Sequence, residues 1–447
     1  MDLALDVDPA LGRRAGLEDA LRQAVVSGQL AAGARLPSSR ALARELGVAR
    51  ATVVGAFEQL VIEGYLVAEQ GSGTRVAAIA SMGDEHVATE IERRVLHTDL
   101  LPGEPDLGSF PRSQWASAVR RVLTTSGDEL FSYGDQRGRR ELRVALAAYL
   151  ARARGVDAHP DRIVVVPGYS AAMPLLADAF SALGIDRVAV EDPCLPPHAR
   201  ALASAGQQVV AIPVDDGGLL VQDLGDEGAV ICTPTHQYPT GVALSPARRG
   251  ALVAWARETG GWIVEDDYDG EFRYDRHPVG ALQGLDPSRV IYAGTASKSL
   301  APGLGLAWLV LPPALVEPVV SARRLRRSAV SAIEQAALAD FIETGRLDRH
   351  IRRMRAIYRR RRDAVLEILA PHFEVIGVSA GLHVTAVTDR ERELVERAAK
   401  RSIVLFGIGE HVLAERAMSG LVIGYSRAAA HEWPASLERL ASVVEDA

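Results

Sequence analysis

The sequence predicts two folded units: a small helical module with a β-hairpin wing, then a much larger α/β unit on a mostly parallel sheet. Three observations carry this. Arginines gather between Gly12 and Ala56 of an otherwise acidic chain, helix caps and glycine breaks punctuate that same stretch, and from Ile163 onward short apolar runs alternate with helical patterns. The 447 residues are 48% hydrophobic and 24% charged with a formal net charge of -7, the make-up of an ordinary globular protein of two or three domains. That charge gives no overall attraction to nucleic acid or to an anionic membrane, so DNA contact requires a local patch. Cys194 and Cys232 are too few for a disulfide framework and sit in no metal-spaced cluster. Met1 to Pro9 is acidic rather than a signal peptide, and no apolar run reaches the roughly 18 residues of a membrane span. A reducing cytoplasm is the expected setting, with no membrane partner and no metal.

The module comes first. Seven arginines, Arg13, Arg14, Arg22, Arg35, Arg40, Arg44 and Arg50, stand against Glu18, Asp19 and Glu45, a candidate phosphate-facing patch. Leu17, Leu21 and Val25 repeat at helical spacing; Leu36-Pro37-Ser38-Ser39 gives a turn and an N-cap for a second helix through Leu42 and Leu46. Gly47-Val48 breaks the chain before a third helix, with Val53, Phe57, Leu60 and Val61 inward and Arg50, Ala51 and Thr52 at its exposed start. In helix-turn-helix geometry those first residues meet base edges and phosphates. Strands at Gly64 to Val67 and Thr74 to Val76 around Gly71-Ser72-Gly73 make a tight hairpin able to approach a DNA backbone. The expected domain spans residues 1–77, followed by a linker over 78–98 that mixes small and polar residues.

Residues 99–447 form the large unit. The apolar runs are Ile163 to Val166, Val188 to Val190, Val209 to Ile212, Ala229 to Ile231, Trp262 to Val264, Val290 to Tyr292 and Ala307 to Val310. Such runs separated by helices imply a sheet covered on both faces, with ligands gathering beyond the carboxyl ends of its strands. Glu265-Asp266-Asp267-Tyr268 follows one run and Gly294-Thr295-Ala296-Ser297-Lys298 another.

Lys298 is one of only two lysines among fifty basic residues. Lysine sheds its proton when desolvated and condenses with an aldehyde; arginine stays charged. The surrounding polar residues read as a pyridoxal phosphate site, with Lys298 as the Schiff-base lysine, Asp266 on the pyridine nitrogen and Tyr268 on the ring hydroxyl. Gly168-Tyr169-Ser170, opening a helix after a strand, would offer backbone N–H groups to the phosphate, helped by Thr295 and Ser297.

Two resemblances agree with these readings. The wording from Arg35-Leu36-Pro37-Ser38-Ser39-Arg40 through Leu46-Gly47-Val48-Ala49-Arg50-Ala51-Thr52-Val53 to Gly71-Ser72-Gly73-Thr74 resembles the GntR family of bacterial regulators. By that resemblance Arg35, Ser38, Arg40, Arg50, Thr52, Gly71, Gly73 and Thr74 are DNA-binding candidates. The large unit resembles fold-type I, PLP-dependent aminotransferases, with a smaller C-terminal α/β subdomain. The carrying phrases are Pro102 to Asp106, Tyr133 to Gly138, Glu191-Asp192-Pro193, Thr233 to Gly241, Glu265 to Tyr274 and Ser297-Lys298. The whole chain resembles the MocR subgroup of GntR regulators. That implies promoter DNA as partner, a small-molecule effector, and a head-to-tail homodimer in which Tyr133 reaches the partner's cofactor phosphate.

Three positions depart from the family pattern. Gly305 stands where an arginine grips the phosphate, Leu195 where an aromatic borders the ring, and Val422 where an arginine holds a substrate carboxylate, with Arg427 offset by five residues. Losing charged contacts to an anion costs about 1.5 to 3 kcal/mol each. The expected function is therefore a transcription regulator that senses pyridoxal phosphate or a related ligand without efficient transamination. A working aminotransferase is disfavoured by Gly305 and Val422, and an empty scaffold by the retained Asp266, Tyr268 and Lys298. The arginine run from Arg352 to Arg362 reads as a solvated, salt-bridging helix, and His236 has no metal-ligand spacing around it.

Overall fold

The computed structural model describes residues 12–69, 73–77, 96–275, 279–414 and 418–445. Gly71 and most of the expected linker, residues 78–95, lie outside the described residues. The chain divides into two compact units, Met1–Glu92 and Arg93–Ala447.

In the first unit, α1 (Arg13–Val26), α2 (Ser39–Glu45) and α3 (Arg50–Ile62) precede β1 (Leu66–Glu69) and β2 (Gly73–Val76). Leu17, Leu21 and Ala24 on α1 pack with Leu42 on α2 and with Val53, Ala56, Phe57 and Leu60 on α3. That apolar stripe, rather than any intrinsic propensity, holds such short helices together. Ser38 caps α2, its Oγ accepting from the Ala41 N–H at 3.2 Å, as the sequence predicts. Gly47 turns the chain with φ +64° before α3. β1 and β2 pair antiparallel with Leu66 opposite Val76. The segment before α2 also lines up on β2: the Leu36 N–H donates to the Thr74 carbonyl and the Val76 N–H to the Ala34 carbonyl, both at 2.9 Å. Ala34 to Leu36 is only three residues between Gly33 and Pro37, too short to read as a strand from its own pattern.

The second unit opens with α4 (Arg112–Thr125) and α5 (Arg140–Arg154). Then come β3 (Ile163–Val166), α6 (Tyr169–Ala182), β4 (Arg187–Asp192), α7 (Pro196–Ser204), β5 (Gln208–Asp215), β6 (Gly218–Leu219), β7 (Ala229–Cys232), α8 (Pro246–Thr259), β8 (Trp262–Asp266), β9 (Val290–Thr295) and β10 (Ala307–Val310). All seven predicted runs are strands of one eight-stranded sheet, ordered β3-β10-β9-β8-β7-β4-β5-β6. The sheet is mixed. β9, β8, β7, β4 and β5 run parallel, whereas β10 is antiparallel to both of its neighbours, and β6 to β5. Two antiparallel steps restore direction, so β3 ends on the same edge as β8 and β9, and Gly168, Asp266 and Lys298 meet there.

A helical layer of α9 (Pro313–Arg326), α10 (Ala332–Glu343) and α11 (Arg346–Leu369) follows. The C-terminal subdomain adds β11 (Glu374–Ile376), β12 (His383–Val387), α12 (Glu391–Lys400), β13 (Phe406–Gly407), β14 (Gly420–Gly424) and α13 (Trp433–Val444). Its antiparallel sheet, ordered β11-β12-β14-β13, packs Leu421 and Ile423 against Tyr358 and Val365 of α11 and Leu440 of α13. No helix among the described residues is long and apolar enough to cross a membrane.

Candidate functional site

A cavity of about 710 Å³ opens at the carboxyl edge of the large sheet. Its wall contains Gly168, Tyr169 and Ser170 from the N-cap and start of α6, Asp266 at the end of β8 with Tyr268 just beyond it, Thr295 at the end of β9, and Ser297 and Lys298 from the loop that follows. Eight of the nine cofactor candidates therefore converge. The ninth, Tyr133, is fully exposed and contributes nothing to this wall.

Each member is fixed by its backbone. Gly168 is the N-cap of α6 at φ +123°, a conformation that suits only glycine, and no side chain caps the start of this helix where it borders the cavity. Lys298 is partly buried and its Nζ donates to the Gly103 carbonyl. Burial pulls the ammonium below its usual range, against the raising influence of Asp266, Asp269 and Glu104. Asp266 is buried at the strand end, and burial drives its carboxyl well above the usual range, partly offset by Lys298. Such a carboxylate gains most from a cation placed against it. Tyr268 meets His236 Nδ1 at 3.1 Å, and the same nitrogen lies 2.9 Å from Asp269 Oδ2. Beside them Thr295 Oγ1 donates to Ser297 Oγ at 2.9 Å.

These residues fit pyridoxal phosphate: an amine with a lowered proton affinity, a buried carboxylate able to pair with a ring N–H, a phenol beside it, and a helix start with hydroxyls for a phosphate. Leu195 lines the cavity as an apolar contact. Gly305 is bare, at φ +59°, with only the Pro167 carbonyl within 4 Å of where a Cβ would stand.

The anchor position reads differently in three dimensions. Val422 is fully buried in mid-strand, opposite Thr385 on β12 and Phe406 on β13, and is not part of the cavity wall. Arg427, just past β14, lines the cavity instead, with its Nε 2.9 Å from Glu104 Oε2. Position 422 thus brings no side chain to the cavity, and the offset Arg427 is the arginine that lines it, because the strand ends at Gly424 and the following turn carries Arg427 there.

The fold also gathers polar residues that linear spacing does not single out. His236, Asp269 and His383, all buried, bring their ligand atoms within 4.8 Å of one another. Hydrogen bonds already occupy them, His236 with Tyr268 and Asp269, and His383 Nε2 with the Pro239 carbonyl at 3.0 Å. His198, on α7, stands 3.3 Å from Ser170 Oγ. Glu191 accepts from the Thr233 N–H and hydroxyl, and burial raises its carboxyl to about 7.

On the small unit, Arg35, Ser38, Arg40, Arg50 and Gly73 are exposed, and Thr52 and Thr74 are half-buried. Not every arginine of the patch is available. Arg14 pairs with Glu18 at 2.7 Å and Arg22 with Glu63 at 2.9 Å, whereas among the described residues no carboxylate pairs with Arg35, Arg40, Arg44 or Arg50.

Residues 14–76 match the family described as bacterial regulatory proteins, gntR family, and residues 98–415 match aminotransferase class I and II. The probable rhizopine catabolism regulatory protein MocR of Rhizobium meliloti is 33% identical over 454 residues, covering 95% of this chain and 92% of that protein. This chain belongs to the MocR-type GntR regulators. The pyridoxine biosynthesis transcriptional regulator PdxR of Corynebacterium glutamicum is 32% identical, over 92% of this chain and 91% of its own length. Among solved structures, the large unit is similar to the multiple substrate aminotransferase of Thermococcus profundus, at 25% identity and a TM-score of 0.71 over 80% of this chain and 95% of that one. An archaeal alanine:glyoxylate aminotransferase shares the fold at 24% identity and a TM-score of 0.72, over 79% of this chain and 92% of that chain. The chain is thus a transcription regulator carrying an aminotransferase-like domain.

Proposed function

We propose that this regulator binds pyridoxal phosphate through Lys298 and uses the loaded cavity to sense a small carboxylate-bearing effector, which alters promoter binding by the arginine-bearing face of the winged helix-turn-helix. The observation that carries the proposal is the convergence of Lys298, Asp266, Tyr268 and the α6 start on one cavity. The domains we assign are 1–77 for DNA, 78–98 as linker and 99–447 for ligand. When bound, the cofactor supplies an aldehyde for amines and an electron-withdrawing ring. The protein does the rest. Burial lets Lys298 Nζ lose its proton, Asp266 holds a proton at the ring nitrogen, and Tyr268 holds one at the ring hydroxyl. Thr295, Ser297 and the α6 N–H groups seat the phosphate, and Arg427 exchanges Glu104 for an effector carboxylate. The exposed Phe131 and Tyr133 support a homodimer whose second copy supplies Tyr133.

In the decisive experiment, full-length protein with added pyridoxal phosphate develops a visible absorbance that Lys298→Ala lacks. Identical spectra for both proteins would overturn the cofactor assignment. For DNA, Arg50→Ala should weaken binding to the protein's own promoter region and reduce the salt dependence by about one charge; unchanged affinity at matched salt would remove α3 from the interface.

A further inference from the structure

We infer that His198, acting with Ser170, is the protonatable counter-ion for the cofactor's phosphate in this chain. The inference rests on the pyridoxal phosphate reading and concerns which side chain balances the dianion.

A phosphate seated at the start of α6 carries close to two negative charges at neutral pH. Ser170, Thr295 and Ser297 are neutral donors, and Gly305 brings no side chain. The basic side chains of the cavity wall are Lys298, Arg427, His383 and His198. Three have other work. Lys298 is reserved for the aldehyde, Arg427 is paired with Glu104 at 2.9 Å, and His383 Nε2 is 3.0 Å from the Pro239 carbonyl, to which it donates. His198 alone faces the helix start, with Nε2 3.3 Å from Ser170 Oγ and its ring edge-on to Tyr169 at 4.8 Å between centroids. A proton on Nε2 can therefore be donated to a phosphate oxygen directly, or to Ser170 Oγ while that hydroxyl donates onward.

The groups that face His198 are Tyr169 on α6 and Lys298 after β9, and Cys194 shares the cavity wall. Without an anion, burial and the Lys298 charge push the imidazole down to about 4. A dianion opposes both influences, so phosphate binding raises the imidazole and takes up a proton. Affinity for the phosphate then strengthens as pH falls from the bound-state value toward about 6, where the phosphate itself begins to take up a proton.

The test compares pyridoxal phosphate with pyridoxal, which lacks the phosphate, on full-length wild type, His198→Gln and His198→Arg, followed by absorbance titration from about pH 8 to about pH 6. The preference of wild type for the phosphorylated form should grow as pH falls. His198→Gln should lose that preference by about tenfold or more at the lower pH, the worth of a charge-assisted contact, with pyridoxal affinity unchanged. His198→Arg, permanently charged, should keep the preference and lose its pH dependence. If wild type binds pyridoxal phosphate and His198→Gln matches it in affinity and pH profile, the counter-ion assignment is wrong while the cofactor reading stands. If wild type does not bind the cofactor at all, both fall.

Discussion

Arg154, the last residue of α5, braces the turn that follows Asp266. Its Nε and Nη2 meet the two oxygens of Asp267 at 2.6 and 2.9 Å, and Nη1 donates to the Gly270 and Val279 carbonyls at 3.1 and 3.3 Å. The two side chains are 5% and 1% exposed, so solvent cannot replace a lost partner. Arg154→Leu leaves Asp267 with the Tyr292 hydroxyl, at 2.8 Å, as its remaining side-chain donor. Stranding a buried charge costs about 3 to 5 kcal/mol. With a urea dependence of about 3 kcal/mol per molar, the unfolding midpoint of the large unit should drop by about 1 to 1.7 M. Tryptophan fluorescence reads it, because Trp255, Trp262 and Trp308 all lie in that unit. Replacing Asp267 with leucine as well should recover most of the loss, since the stranded charge rather than the missing bond is the main cost. A midpoint shift below about 0.3 M, or a double variant no better than the single one, would refute the reasoning.

Burial raises Glu271 to about 7, so the folded state holds its proton to higher pH than the unfolded chain, whose glutamates titrate near 4.3. Stability should therefore fall as pH rises from about 4.5 to about 7, and Glu271→Gln should flatten that slope by up to about 1.4 kcal/mol per pH unit, measured from urea midpoints across the range. At Gly305, arginine would pay about 1 kcal/mol for the left-handed backbone and meet open space, while a charged phosphate contact returns about 1.5 to 3 kcal/mol. Gly305→Arg should then tighten pyridoxal phosphate severalfold by absorbance titration, and weaker binding would show that the phosphate lies elsewhere.

Much of this architecture was legible because it is local. Short continuous apolar runs bounded by turns gave all seven strands, and Ser38 announced its helix through a short-range hydrogen bond. What stayed hidden depends on pairing across distance. The reversed β10 is apolar like its neighbours, and direction leaves no trace in such a run. Ala34 to Leu36 becomes strand-like only because β2 offers it a free edge. Arg361 looked like one more cation of a solvated helix, yet it is buried against Asp106 at 3.1 Å.

The site divides the same way. Sequence by itself marked the candidates: a rare lysine after a strand, an acidic-aromatic pair after another, a glycine opening a helix, and an arginine at the start of the third helix, each a pattern within a few residues. Tertiary structure decided which charges are available. It paired Arg22 with Glu63 on the DNA module, buried Val422 in mid-strand, turned Arg427 into the cavity and set His198 against Ser170. Charges act through space, over a few ångströms and according to burial, so their partners cannot be read along the chain.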